Sequence, residues 1–194
     1  MNGYYKLRKA VFKKLHSELP GNLYYHGPQH TINALNDCIP YLKSERITGE
    51  EAKLLRIGIL LHDIGFTISH IDHEKLGVKI AKKMMAAYGF NHAQYMVVKG
   101  LILATHVPQK PKNKLERIIC DVDLDYLGRS DFYKNSDLLY KELKEYTQLK
   151  SIDEWNKMQI AFLENHRYHT PFAIKNRKPE KQKRIVELKA KSHK

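Results

Sequence analysis

The stretch from Thr48 to Gly65 most constrains what this chain can fold into. Thr48-Gly49-Glu50-Glu51 reads as a capping box, in which the Thr48 side chain accepts from the backbone and Glu51 reaches back. Ala52, Leu55, Ile59 and His62 follow at spacings of three and four, which stacks them on one inward face of a helix. Gly65 suits a left-handed cap that ends it. The helix is apolar enough to be a core element, yet its inner end carries an imidazole and a carboxylate side by side, His62 and Asp63. A buried end with that pair needs something that binds both.

The rest of the chain keeps the helical period. Residues 1–19 place Leu7, Val11, Phe12 and Leu15 on one face, a packing helix rather than a targeting segment. Pro20-Gly21 breaks it, and Pro28 opens a helix to about Lys43 with His30 in its first turn and His26 just before it. Asp72 is placed as N-cap of a helix over 73–88, with His73 in the first turn. A helix over 91–105 ends at His106. From 114 to 127, Ile118, Ile119 and Val122 form a buried stripe with Asp121, Asp123 and Asp125 interleaved, and Asp123, one turn after Ile119, is expected to face a cation. Helices over 132–146 and 151–167, the second opened by a Ser151 to Glu154 capping box, and a last segment after Pro179 complete the pattern. No strand alternation, glycine-rich phosphate loop or repeat competes with it. The expected fold is all-α: a compact single-domain bundle over 1–194, with a site-bearing core at about 23–127 and C-terminal helices over 130–194.

Composition narrows the setting. A chain of 194 residues can bury a core without staples. Two cysteines imply no disulfide framework and a reducing, cytoplasmic compartment. No apolar run approaches the ~20 residues that cross a bilayer, so a soluble protein with no membrane partner is expected. The net charge of +13 is uneven. Residues 173–194 hold nine basic and two acidic side chains, a net of +7. Such a tail attracts phosphates or nucleic acid, or is a solvated helical end, and the second reading is favoured.

His30, His62, Asp63, His73, His106 and Asp123 supply four imidazoles and two carboxylates, each at or beside a helix end. Mixed nitrogen and oxygen donors suit Mn, Fe, Zn or Mg rather than a thiolate-bound metal. Six donors exceed one closed tetrahedral site, so two divalent ions are expected, with Asp63 bridging.

The order His30, then His62-Asp63, then His73, His106 and Asp123 resembles the HD-domain superfamily of metal-dependent phosphohydrolases over roughly Leu23 to Leu127. Asp125 to Arg129 and Glu164 to Arg167 resemble a small stand-alone branch of it. The resemblance implies that His30, His62, Asp63 and Asp123 hold a metal and that His73 and His106 match the extra pair of two-metal members. Tyr25-His26 resembles the Tyr-His of cyclic-nucleotide phosphodiesterases, whose histidine protonates the leaving oxygen; Gly27 stands where those enzymes usually have Asn. The implied activity is hydrolysis of a nucleotide or related small phosphoester by metal-activated water, with Asp63 at its centre and His26 as acid. Lys75, Arg129 and Arg167 are candidates for the substrate phosphates, while His166 and His169 are left outside the metal set. Two other readings stay open: a di-iron oxygenase, because one branch of the superfamily uses an equivalent six-ligand set, and a non-catalytic nucleotide or nucleic-acid module using the basic tail.

Overall fold

The structure, a computed structural model, describes residues 3–192. Among them ten α-helices follow one another: α1 (Gly3–Glu18), α2 (Pro28–Ser44), α3 (Gly49–Leu61), α4 (His73–Ala87), α5 (His92–Ala104), α6 (Lys114–Asp123), α7 (Phe132–Tyr146), α8 (Ile152–Asn165), α9 (Pro171–Asn176) and α10 (Lys178–Ser192). Single 3-10 turns at Ile64–Thr67 and Asp125–Gly128 follow α3 and α6. No strand occurs among the described residues, and none of their helices is long and apolar enough to cross a membrane.

Helix α3 is the axis. Ile57 to Leu61 are all buried, so the helix is enclosed on every side, and it touches α1, α2, α5 and α6. Each fully buried Leu or Ile stabilises the fold by about 1.5–3 kcal/mol relative to exposure. Helix α1 packs on α3 through Leu7, Val11 and Leu15. Met1 and Asn2 of the expected first helix, and His193 and Lys194 of the expected basic tail, lie outside the described residues.

Local signals were realised unevenly. Thr48 is the N-cap of α3 in extended conformation, but its side chain makes no capping bond. Ser151 does accept from Glu154 N, while the Glu154 carboxylate takes Lys150 N rather than closing the box on Ser151. Asp72 is the N-cap of α4, as expected, with φ 53°, a left-handed position that Asp tolerates, but its side chain makes no capping bond. Gly65 is not a left-handed cap: α3 ends at Leu61, and Gly65 sits inside the following 3-10 turn. Its lack of a side chain serves a close approach, because a Cβ there would stand 1.8 Å from the His73 carbonyl oxygen and 2.8 Å from Gly77 N. The first turn of α4 thereby lies on the loop carrying Asp63, which brings His73 to it.

The C-terminal layer docks on this core at the Asp125–Gly128 turn, which touches α6, α7 and α10, and α10 also lies along α8. The basic tail is solvated on one face, where Lys183, Lys189 and Lys191 are exposed, and docks by the other. Ile185 and Leu188 of α10 join the core, and Lys181 is buried with them.

Candidate metal centre and substrate chamber

The ends of α2, α3, α4 and α6 meet, and their polar side chains converge. His30 Nε2 lies 3.1 Å from His62 Nε2 and 3.2 Å from Asp123 Oδ1, and His62 Nε2 lies 3.2 Å from the same oxygen. One donor atom from each of these three residues falls within 4.8 Å of the others. Asp63 Oδ2 adds itself at 3.1 Å from His62 Nε2 and 3.5 Å from His30 Nε2.

The hydrogen-bond arithmetic of this cluster calls for a cation. His62 Nδ1 donates to the Ile59 carbonyl at 2.7 Å, which leaves a lone pair on the inward Nε2. That nitrogen faces another imidazole nitrogen and two carboxylate oxygens, and the buried Asp63 Oδ2 has no hydrogen-bond partner among the described residues. Acceptors buried against acceptors are costly unless a positive charge sits among them. The protonation tendencies agree. Burial opposes charge on His62, yet Asp63 and Asp123 outweigh it and raise its pKa well above the ordinary value. Burial would also raise both carboxyls, but the surrounding imidazoles, His62 first for Asp63 and His30 first for Asp123, hold Asp63 well below its usual range and Asp123 at about 2. Nitrogen and oxygen donors at these separations fit a borderline or hard divalent metal.

A second group adjoins the first through Asp63, whose Oδ1 lies 3.7 Å from His73 Nε2. His73 Nε2 is 3.6 Å from Glu74 Oε1, and that oxygen accepts from His106 Nδ1 at 3.0 Å. The two oxygens of Asp63 thus face opposite halves of the site. His73 and His106 stand outside the tight three-residue set, and the His106 side chain is 62% exposed.

His26 lies beside both halves. The Phe66 ring stacks between His26 and His73 at 4.5 and 4.1 Å. Buried Glu142 of α7 accepts from Tyr25 N at 2.8 Å, from His26 N at 3.0 Å and from His26 Nδ1. Burial disfavours a charged His26, but Glu142 leads the acids that outweigh it, and the pKa is raised. With Nδ1 held by Glu142, Nε2 is the nitrogen left to act.

The three aspartates of α6 and its exit divide their tasks. Asp123 faces the histidines, while Asp121 accepts from His169 N, Thr170 N and Thr170 Oγ1, and Asp125 from Tyr41 and Arg177. The candidate phosphate binders are placed elsewhere. Lys75 is exposed and pairs with Asp72 at 2.7 Å, outside the chamber described next. Arg129 lies behind Asp123 and is held by Asp37 and Asp131. Arg167 is exposed and borders an adjoining basin of 180 Å³. Neither Glu74 nor Glu142 had been singled out. Glu74 passes for an ordinary acid in the first turn of a helix, whereas Glu142 carried a signal, being an acid in register with Leu139 on a half-buried helical face.

Over the cluster opens a chamber of 470 Å³, floored by Asp63, His73, Glu74, His106, Asp123 and His26 and walled by α7 and α8. A family model described as HD domain matches residues 29–127, just over half of the chain. The chain therefore belongs to the HD domain family, whose members are generally metal-dependent phosphohydrolases. No curated protein and no solved structure matches it. The matched segment carries the whole His/Asp cluster, and the walls of the chamber contributed by α7 and α8 lie outside it.

Proposed function

We propose that this protein hydrolyses a small phosphoester with one or two divalent metals, Mn, Fe, Mg or Zn, at the His/Asp cluster. The observation that carries the reading is the convergence of His30, His62, Asp63 and Asp123: His62, whose Nδ1 donates to Ile59 O, turns Nε2 toward two carboxylates, and the buried Asp63 Oδ2 has no hydrogen-bond partner among the described residues. Asp63 presents one oxygen to each half, which supports a bridging role between that set and His73, Glu74 and His106. A divalent metal held there supplies a water of lowered pKa and neutralises phosphoryl oxygens. His26 delivers a proton from Nε2 to the leaving oxygen, and Glu142 holds its ring in the tautomer that allows this. Phe66 and Tyr25 pack against His26 and restrict water around it.

The experiment is metal analysis and phosphate release on the same preparations. Wild type is expected to bind metal and release phosphate from at least one ester. Asp63→Ala should lose both, and full metal retention in that variant would overturn the bridging role. His26→Ala should keep its metal while turnover falls by roughly 10²–10⁴.

One observation also favours a second reading. Among the described residues no Lys or Arg lines the chamber, which suits a di-iron oxygenase acting on an uncharged body. Oxygen uptake by the iron-loaded protein with no phosphate released would select it.

A further inference from the structure

The chamber's walls differ in kind from its floor. Leu139 and Leu143 of α7 and Trp155, Met158, Phe162 and Leu163 of α8 face the His/Asp cluster across it. The polar groups on this wall are already engaged with one another. Gln159 accepts from Ser136 Oγ and donates to Asn156 Oδ1 at 3.4 Å, and Trp155 Nε1 donates to Ser136 Oγ at 3.2 Å. Among the described residues no Lys or Arg lines the space: Arg129 is bound by Asp37 and Asp131, Arg167 borders the adjoining basin, and Lys75 is paired with Asp72 at the rim. Against this wall a ribose, a sugar or a second phosphate would therefore lose its water with little in return. An apolar body would gain by leaving water. The volume is about three times the roughly 150 Å³ cavity that holds benzene, so the body is larger than one ring and smaller than a macromolecular segment.

We infer that the substrate is a phosphate monoester of an apolar alcohol, alkyl or aryl, with its phosphate at the cluster and its body between α7 and α8. The inference rests on the proposed hydrolase reading for the head group alone. In the reaction the water oxygen bonds to phosphorus as the P–O bond to the alcohol breaks. That electron pair stays on the leaving oxygen, which takes a proton, and the products are the alcohol and inorganic phosphate.

Trp155 is the chain's single tryptophan, is buried and lines the chamber, so its fluorescence reports occupancy without turnover. The Mn-loaded full chain is titrated with ethyl-, butyl-, hexyl- and octylphosphonate, whose P–C bond offers no leaving oxygen. Kd is expected to fall roughly fourfold per added methylene until the space is full, with adenosine monophosphate binding no tighter than butylphosphonate. Met158 is 47% exposed, so Met158→Lys is tolerated by the fold and sets a cation in the wall. This change should cut the octyl-to-ethyl affinity ratio at least fivefold while metal content holds. Affinity independent of chain length, an octyl preference untouched by Met158→Lys, or adenosine monophosphate binding tighter than octylphosphonate would each overturn the inference. Phosphate release from octyl phosphate separates the two readings. Its absence alongside a persistent chain-length slope, reproduced with 1-alkanols, keeps the apolar body and removes the hydrolase. Release from adenosine monophosphate with no slope does the reverse.

Discussion

Glu142 commits both carboxylate oxygens to the loop that carries His26, one to two backbone N–H groups and the other to the imidazole. Only the second contact bears on chemistry. Replacing Glu142 by Gln keeps an acceptor for the loop but removes the charged hydrogen-bond partner, the contact that leads in raising the His26 pKa against its burial. A general acid works while protonated, so its rate is lost as pH rises through its pKa. Glu142→Gln should therefore move the alkaline limb of the kcat profile to lower pH and reduce kcat at least tenfold, with KM within twofold and metal content unchanged. A profile that stays put, measured on any ester the protein turns over, would reduce Glu142 to a loop anchor. At this scale the sequence was readable where a polar residue interrupts an apolar face, as His62, Asp63 and Asp123 do. It was unreadable where the partner is remote: Glu142 meets His26 across 116 positions, and Glu74 meets His106 across 32. The three basic candidates show the converse limit. A lysine or arginine advertises a charge, but nothing local says which carboxylate neutralises it, and Asp72, Asp37 and Asp131 had prior claim on Lys75 and Arg129.

Helix α8 ends with carbonyls that no turn of its own can satisfy. Lys181, reaching over from α10, donates to Leu163 O at 2.8 Å and His166 O at 2.6 Å. Burial, aided by Arg167 and Lys178, pushes the Lys181 pKa down to about 8, and burial first, then Lys181, pushes His166 down to about 3. Both groups bind fewer protons folded than unfolded, so stability rises with pH across each window. For His166 the window runs from about 3 to the ordinary 6.5, and for Lys181 from about 8 to 10.5. Lys181→Met should cost about 1–3 kcal/mol at neutral pH by orphaning two carbonyls. Its deficit against wild type should then widen as pH climbs above 8, because the variant lacks that gain. Urea midpoints at pH 7 and pH 10 check this, and a constant difference would sink it. Helix positions were legible because apolar residues recur at three and four. Helix α9 was not, since six residues are too few to show a period and its Thr170 cap is itself held by Asp121, 49 positions away. One helix end was misread at Gly65, where the close approach of α4 takes the place of a local cap, whereas Thr48 holds the N-cap position without its side-chain bond.

Whether the core and its C-terminal layer behave as one body turns on Asp125. Its carboxylate is fully buried and takes Tyr41 from α2 and Arg177 from the α9–α10 junction, so one side chain ties the HD core to the layer that walls the chamber. Gly128 seals the same seam, because a Cβ there would stand 2.4 Å from the Arg177 carbonyl oxygen. Removing Arg177 leaves the buried carboxylate with Tyr41 and, 3.8 Å from Oδ2, Arg129 Nη1, which is itself held by Asp37 and Asp131; breaking such a buried pair costs about 3 kcal/mol. For a chain of this length each kcal/mol moves Tm by roughly 2–4 °C, so Arg177→Met should lower it by roughly 6–12 °C. The diagnostic quantity is where that loss appears. Trp155 fluorescence reports the C-terminal layer, whereas far-UV circular dichroism reports helices throughout. If Asp125 couples the two parts, both signals unfold at one midpoint in wild type and shift together in Arg177→Met. A variant in which the tryptophan signal melts early while most helicity survives would mean that the layer is a separable unit. The chamber would then open and close by local undocking, at a cost set by the Asp125–Arg177 pair, and its apolar wall would be present for only part of the molecule's time.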